Sequence, residues 1–381
     1  MFFAFIHFLL ALITVFRFWK PIQLAPLLKV FGISLTVLSF ALPYLTVITG
    51  GYAEGGLPNF VFIIAYGMSF AFVLFPGLYT VAREILLYWI SQVRGTEEWL
   101  QSPLRSDRRQ AIGITAISAG LSAFGMYRGV QLPEVKRMDV PVKDLPEGLD
   151  GFTIVQLTDI HASSLLTAPH IRELVRRTND LKPDLIVVTG DIADGVLPMK
   201  DEDLAPIGEL KAPFGVWGCE GNHEHYVDYD DRIRRYEALG IRMLRNEWTT
   251  ITKDGASFTL AGVRDPYARE KDRPLPNPIL AFKGAPEMGL RILLSHQPFY
   301  ARAYERAARF DLMLSGHTHG GQIRLLDYAV GMLGNGFVRG WYDLQKARLY
   351  VHSGCGTASR FPVRLGLSGE IAHFTLRKID L

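Results

Sequence analysis

Cysteine is almost missing. Cys219 and Cys355 are the only two in 381 residues, too few for a disulfide framework or a thiolate zinc ribbon. A surplus of one charge is missing too, since 41 Lys/Arg stand against 38 Asp/Glu. Split at residue 130, the chain has nine Lys/Arg and five Asp/Glu before that point and 32 and 33 after it. The near-neutral second part argues against a nucleic-acid groove. With 49% hydrophobic and 21% charged side chains, the chain is too apolar to be disordered. Histidine is scarce early, with only His7 before residue 130 and nine others after it.

What the first part does have is long uncharged runs. Phe2–Phe16 contains one ionisable group, His7, and Val30–Thr49, Leu57–Val81 and Ala111–Tyr127 contain none. Runs of about 17–25 apolar residues match a hydrocarbon layer about 30 Å thick. Pro43 and Pro76 are tolerated in spanning helices. Four spans are expected, at about 2–18, 29–49, 57–81 and 110–127, making residues 1–130 a transmembrane region. Arg17, Lys20 and Lys29 follow the first span, and Arg83, Arg94, Arg105, Arg108 and Arg109 follow the third, whereas only Glu54 lies between the second and third. Positive charge stays in the cytoplasm, so everything after Tyr127 is expected on the outer face. Arg108-Arg109 also resembles a twin-arginine export signal without its usual Phe-Leu pair, and that reading gives the same topology. Pro133, Pro141 and Pro146 mark 131–150 as a linker, leaving 151–381 as a globular domain.

That domain repeats one unit. Phe152–Leu157 ends in Asp159-Ile160-His161, Leu185–Val188 in Gly190-Asp191, and Gly215–Trp217 leads into Gly221-Asn222-His223-Glu224. The tips fall 32 and 31 residues apart, the length of a strand–helix–strand unit with a parallel sheet. Side chains at corresponding tips gather beyond the carboxyl ends of the strands. Later, Leu290–Leu294 precedes Ser295-His296, and Leu312–Leu314 precedes Gly316-His317-Thr318-His319-Gly320-Gly321. Trp248–Thr252 and Ser257–Val263 flank a turn and suggest antiparallel pairs in a second sheet. The expected fold class is α/β, a four-layer αββα sandwich of two mixed sheets preceded by a four-helix transmembrane region.

Carboxylate, amide and imidazole donors without thiolate suit Mn, Fe, Zn or Ni. Residues i and i+2 of an extended tip face the same way, which would aim Asp159 with His161, and His317 with His319, at one site. Neighbouring glycines let the backbone turn tightly.

The ordered blocks Asp159-x-His161, Gly190-Asp191, Gly221-Asn222-His223-Glu224, His296 and Gly316-His317-x-His319-Gly320-Gly321 resemble the calcineurin-like metallophosphoesterase family, and within it a membrane-anchored bacterial branch. The resemblance covers about Gly151–Leu381. It departs from that branch at Leu367-Ser368-Gly369, where a proline pair usually precedes the late glutamate. The resemblance implies two divalent metal ions, one on Asp159, His161 and His319, the other on Asn222, His296 and His317, with Asp191 shared. His223 is then the unligated catalytic residue beside the substrate phosphate.

The expected activity is in-line hydrolysis of a phosphoester. Tethering points to a lipid or envelope phosphoester in or near the membrane as substrate. Soluble nucleotides or organophosphates are the enzymatic alternative. A non-hydrolytic membrane protein that binds metal or ligand is the other, although the spans carry no internal charge to serve as a pathway.

Overall fold

The computed structural model describes residues 2–20, 24–48, 65–94, 108–195, 201–358 and 361–379. They form two compact units, Met1–Tyr127 and Arg128–Leu381. In the first, Phe2–Ile13 runs on through a π-helical stretch, Thr14–Trp19, and is followed by Pro26–Ile48, Ala65–Arg94 and Arg108–Gly129. Among the described residues, two helices are long and apolar enough to cross a membrane, Pro26–Leu45 and Ala65–Arg94; Phe5–Trp19 is a shorter apolar helix.

The four-helix transmembrane region expected from the sequence is therefore met by two helices on length and composition. The first expected span is too short, and the fourth dilutes its apolar stretch with glycine, serine and threonine. Residue 49 of the second expected span and 57–64 of the third lie outside the described residues. Several polar groups inside this unit pair with one another, as apolar surroundings favour. Tyr44 and Ser69 hydroxyls lie 3.0 and 2.8 Å from the two ring nitrogens of His7, and Trp19 Nε1 donates to Thr36 Oγ1 at 2.9 Å.

The second unit holds twelve strands among its described residues. They are β1 Glu134–Lys143, β2 Thr153–Leu157, β3 Leu185–Thr189, β4 Val216–Cys219, β5 Ile241–Met243, β6 Glu247–Lys253, β7 Ala256–Gly262, β8 Arg291–Leu294, β9 Leu312–Ser315, β10 Gly340–Asp343, β11 Arg348–Val351 and β12 Glu370–Ile379. One sheet runs β1-β12-β2-β3-β4-β5 and the other β10-β11-β9-β8-β7-β6. Both are mixed. In the first only β12–β2 is antiparallel, and in the second β10–β11 and β6–β7 are.

Residues 131–150, expected as a linker, contribute β1, which pairs in parallel with β12 over its whole length. Pro141 fits there because an edge strand can do without one N–H. Only Val140 of β1 is buried, so the strand carries almost none of the alternation that would mark it.

Apolar clusters sort the layers. Ile154, Val187, Leu260, Leu294, Leu314 and Phe374 pack between the two sheets. Val155, Val188 and Ile371 turn the other way, against the helices Ala168–Asp180 and Tyr229–Ala238 through Ile171, Leu174, Ile233 and Tyr236. Leu293, Met313 and Leu349 cover the far face of the second sheet with Ala301, Tyr304 and Phe282. Val, Ile and Leu buried on both faces give β3, β8 and β9 their unbroken hydrophobic runs. Gln156 Nε2 ties the sheets at their carboxyl edge, donating to Thr189 Oγ1 at 2.8 Å and Ser315 O at 3.0 Å.

Candidate metal centre

Each expected site residue sits just past a strand end: Asp159 and His161 after β2, Asp191 after β3, Asn222 and His223 after β4, His296 after β8, and His317 and His319 after β9. These five strands lie side by side in parallel within their sheets, so the tips meet along one edge. The local geometry differs from the extended alternation read from the sequence. Asp159, His161, Asp191, His317 and His319 have φ of 50°, 50°, 53°, 72° and 49°. Five non-glycine residues in the left-handed region are costly, and they curl the tips inward.

The glycines serve two purposes. Gly190 adopts φ 86° and turns the chain into Asp191. Gly221 and Gly316 need no such angle. A Cβ on Gly221 would strike Asp191 Oδ1, and one on Gly316 would strike Thr158 Oγ1 and Asp159 Oδ2.

All eight site residues converge. His161 Nε2 is 3.1 Å from His319 Nε2, which is 3.3 Å from Asp159 Oδ1. His296 Nε2 is 3.1 Å from each of Asp191 Oδ2, Asn222 Oδ1 and His317 Nδ1. Asp191 Oδ2 also lies 3.8 Å from His161 Nε2, placing it between the two groups. Donor atoms about 2.0–2.2 Å from one ion stand about 3.0–3.5 Å apart, so the observed spacings are those of neighbouring ligands. The residues fit divalent metal ions.

Charge supports that fit. Burial drives His161 and His319 well below the usual histidine range, and His317 down to about 3. Their rings are neutral and offer the lone pair that a metal takes. Burial opposes ionisation of Asp191, but His296, His223 and His161 hold it well below the carboxylate range. His296 is the reverse case: burial lowers it, and Asp191 and Asp159 raise it well above the usual value. Asp159 is pushed up to about 6 by burial, with His296 pulling it down and Asp191 up.

His223 lies at the rim of the donor groups, its ring centroid 4.5 Å from that of His161. Its Nε2 is 3.9 Å from Asp191 Oδ2, and it is partly exposed. Its Nδ1 bonds the carbonyl of Asp194, and its own N–H donates to Asp191 Oδ1 at 2.9 Å.

Some supporting residues were visible in the sequence and others were not. Glu224 braces the Asn222-His223 turn, accepting the N–H groups of Asp191, Ile192 and Gly221 at 2.9, 3.0 and 2.7 Å. Asp194 brings Oδ2 to 3.6 Å from His161 Nδ1 and groups with His161 and His223. Arg364 is 3% exposed and donates to the carbonyls of His319, Ser353 and Gly356 at 3.2, 2.7 and 2.7 Å.

The calcineurin-like phosphoesterase family model matches residues 152–321. A transmembrane protein with metallophosphoesterase domain from Danio rerio is 30% identical over 76% of this chain and 67% of its own, and its Bos taurus counterpart is 33% identical over 70% and 62%. An uncharacterized metallophosphoesterase of Bacillus subtilis is 31% identical over 71% of this chain and 95% of its own. The class these matches define is that of hydrolases acting on phosphoester bonds with divalent metals. The chain belongs to the calcineurin-like metallophosphoesterase family. It spans about two thirds of the length of the two vertebrate relatives.

Proposed function

We propose that this protein is a membrane-anchored phosphohydrolase with its catalytic domain outside the cytoplasm, acting on a lipid-linked or envelope phosphoester. Asp159, His161 and His319 would hold one divalent ion and Asn222, His296 and His317 a second, with Asp191 available to both. The observation that carries the assignment is the place of Asp191 Oδ2, 3.1 Å from the His296 ring and 3.8 Å from the His161 ring. When bound, the ions supply Lewis acidity toward phosphoryl oxygens and activate water.

The side chains of this chain do the rest. His223 Nδ1–H donates a hydrogen bond to the Asp194 carbonyl, which fixes the ring and leaves Nε2 facing the site. Protonated there, Nε2 stabilises the phosphoryl group and hands its proton to the departing alkoxide. General acid catalysis of this kind contributes about 10²–10⁴-fold. The carboxylate of Asp191 also accepts the His223 N–H at 2.9 Å, so one residue sets both the donor groups and the acid. Tethering near a bilayer favours a substrate held in it, and the helices Pro26–Leu45 and Ala65–Arg94 support the tether.

Metal content and turnover of a chromogenic phosphodiester, measured on the full chain in detergent, test the assignment. His223→Ala is expected to keep its metal and lose about 10²–10⁴-fold in turnover. Asp191→Ala is expected to lose both. Normal turnover in the first variant strips His223 of its role as acid, and in the second it strips Asp191 of its role as shared ligand.

A further inference from the structure

Immediately after the His317–Gly321 loop, the chain reaches Leu325 with φ 84° and enters a helix, Leu326–Leu333. Leu325, Tyr328 and Met332 are 74%, 72% and 82% exposed. Tyr328 and Met332, four apart, share one helix face, and Leu325 stands exposed at the helix entrance. Three large apolar groups gathered in this way are unlike singly scattered surface residues and mark a contact surface. A leucine held in the left-handed region is itself a strained residue, and here the strain turns an apolar side chain into solvent.

The helix is fastened to the metal-site loop from behind. Asp327, on its buried side, pairs with Arg339 at 2.6 Å, and Arg339 donates to the carbonyl of Gly320 at 3.0 Å. Thr318 Oγ1 donates to Val338 O at 2.6 Å, and a Cβ on Gly321 would lie 2.6 Å from Asp327 Cα. Whatever seats the helix therefore also positions the edge of the metal centre.

Two observations choose the occupant. From Gln322 to Tyr342 the only acidic residue is Asp327, buried and neutralised by Arg339, while Arg324 is exposed beside the stripe. An apolar stripe with one exposed cation, Arg324, and no exposed anion along its own segment complements an anionic lipid surface. The same chain also carries helices long and apolar enough to place it at a bilayer. We propose that the Leu325–Met332 face rests in the interfacial layer of a membrane and sets the metal centre at the height of lipid headgroups. This deepens the lipid-phosphoester reading of the site, but it concerns where the domain sits and not whether it hydrolyses.

Cys219 and Cys355 are buried, so a thiol-reactive fluorophore on Met332→Cys, with Tyr328→Cys as a second position, reports on this face alone. Asp180→Cys, on an exposed residue of the helix Ala168–Asp180, is the control. The full chain is reconstituted in vesicles of phosphatidylcholine and phosphatidylglycerol, with and without nitroxide-bearing lipid. The label at 328 or 332 is expected to shift to shorter wavelength, to lose most of its emission to the nitroxide lipid and to be shielded from aqueous iodide, with the control unchanged. Two results overturn the proposal. One is iodide access equal to that of the control. The other is shielding from iodide without quenching by lipid, which would mean that a protein surface covers the helix. Because no readout depends on turnover, an inactive enzyme that still docks would fault the hydrolase reading and leave this one standing.

Discussion

At the scale of single residues, His352 shows how burial sets a pH limit on the fold. It follows β11, is fully buried, and its Nδ1 accepts the Gly354 N–H at 2.9 Å. That bond needs a neutral ring. Burial lowers its pKa from 6.5 to about 4, against an opposing pull from Glu370. The folded state thus binds this proton less readily than the unfolded chain. Its contribution is complete above about 6.5 and is lost as pH falls from there toward 4, in all about 3 kcal/mol. Asn in its place offers a carbonyl oxygen near the Nδ1 position and does not titrate. The urea midpoint of wild type is therefore expected to fall more steeply than that of His352→Asn between pH 7 and pH 4.5, followed by tryptophan fluorescence of the full chain in detergent. Equal falls would remove His352 from the acid response. The residues read most easily from sequence were those whose side chains do chemistry at strand ends, such as Asp159, Asp191 and His319. Arg364 escaped because its side chain works on backbone carbonyls, and a carbonyl partner leaves no trace in residue type.

At the scale of elements, the site depends on how closely one loop can pass another. The β4 tip approaches the β3 tip at Gly221, whose own N–H is taken by Glu224 at 2.7 Å. A methyl group there would strike the carboxylate of Asp191, while the angle at Gly221 is ordinary for any residue. Gly221→Ala is thus expected to displace Asp191 without undoing the sheets. Metal content and turnover should fall together, while far-UV circular dichroism stays that of wild type. A variant with full metal content would show that the loop yields and that the approach is not needed. Among strands, the buried parallel ones were legible because Val, Ile and Leu on both faces make continuous runs. Three of the four edge strands were not; β6, read from Trp248–Thr252, was. β1 buries a single side chain, β5 has three residues, and β10 is only half-buried, so pairing partners far along the chain, and not local pattern, make them strands.

At the scale of the whole molecule, the side of the membrane on which hydrolysis occurs turns on one helix. On the proposed reading, in which Pro26–Leu45 and Ala65–Arg94 both cross, the basic residues after the first helix and after Ala65–Arg94 would share one face of the membrane, and the positive-inside rule would make that face cytoplasmic. With no further crossing, the domain stays in the cytoplasm; if Arg108–Gly129 crosses, it emerges outside. Hydropathy leaves this helix undecided because Gly, Ser and Thr dilute it, but their placement speaks for a span. Ser118 and Ser122 are buried, with Ser122 Oγ donating to Gly67 O at 2.8 Å. Ile112, Ile117, Leu121 and Phe124 are 58%, 64%, 41% and 55% exposed. Small polar groups inward and large apolar groups outward is the pattern of a helix packed within lipid, the reverse of a surface helix in water. Its uncharged stretch Ala111–Tyr127 rises about 25 Å, near the thickness of a thin hydrocarbon layer. An alkaline phosphatase fusion after residue 130 is therefore expected to be active, and a green fluorescent protein fusion at the same point dark. Ile117→Lys puts a charge at mid-helix, at a cost of about 2.5–3.5 kcal/mol to insertion, and should weaken the first signal and restore the second. A bright fluorescent fusion on the wild-type chain would place the metal centre in the cytoplasm and turn the search for its substrate to the inner leaflet.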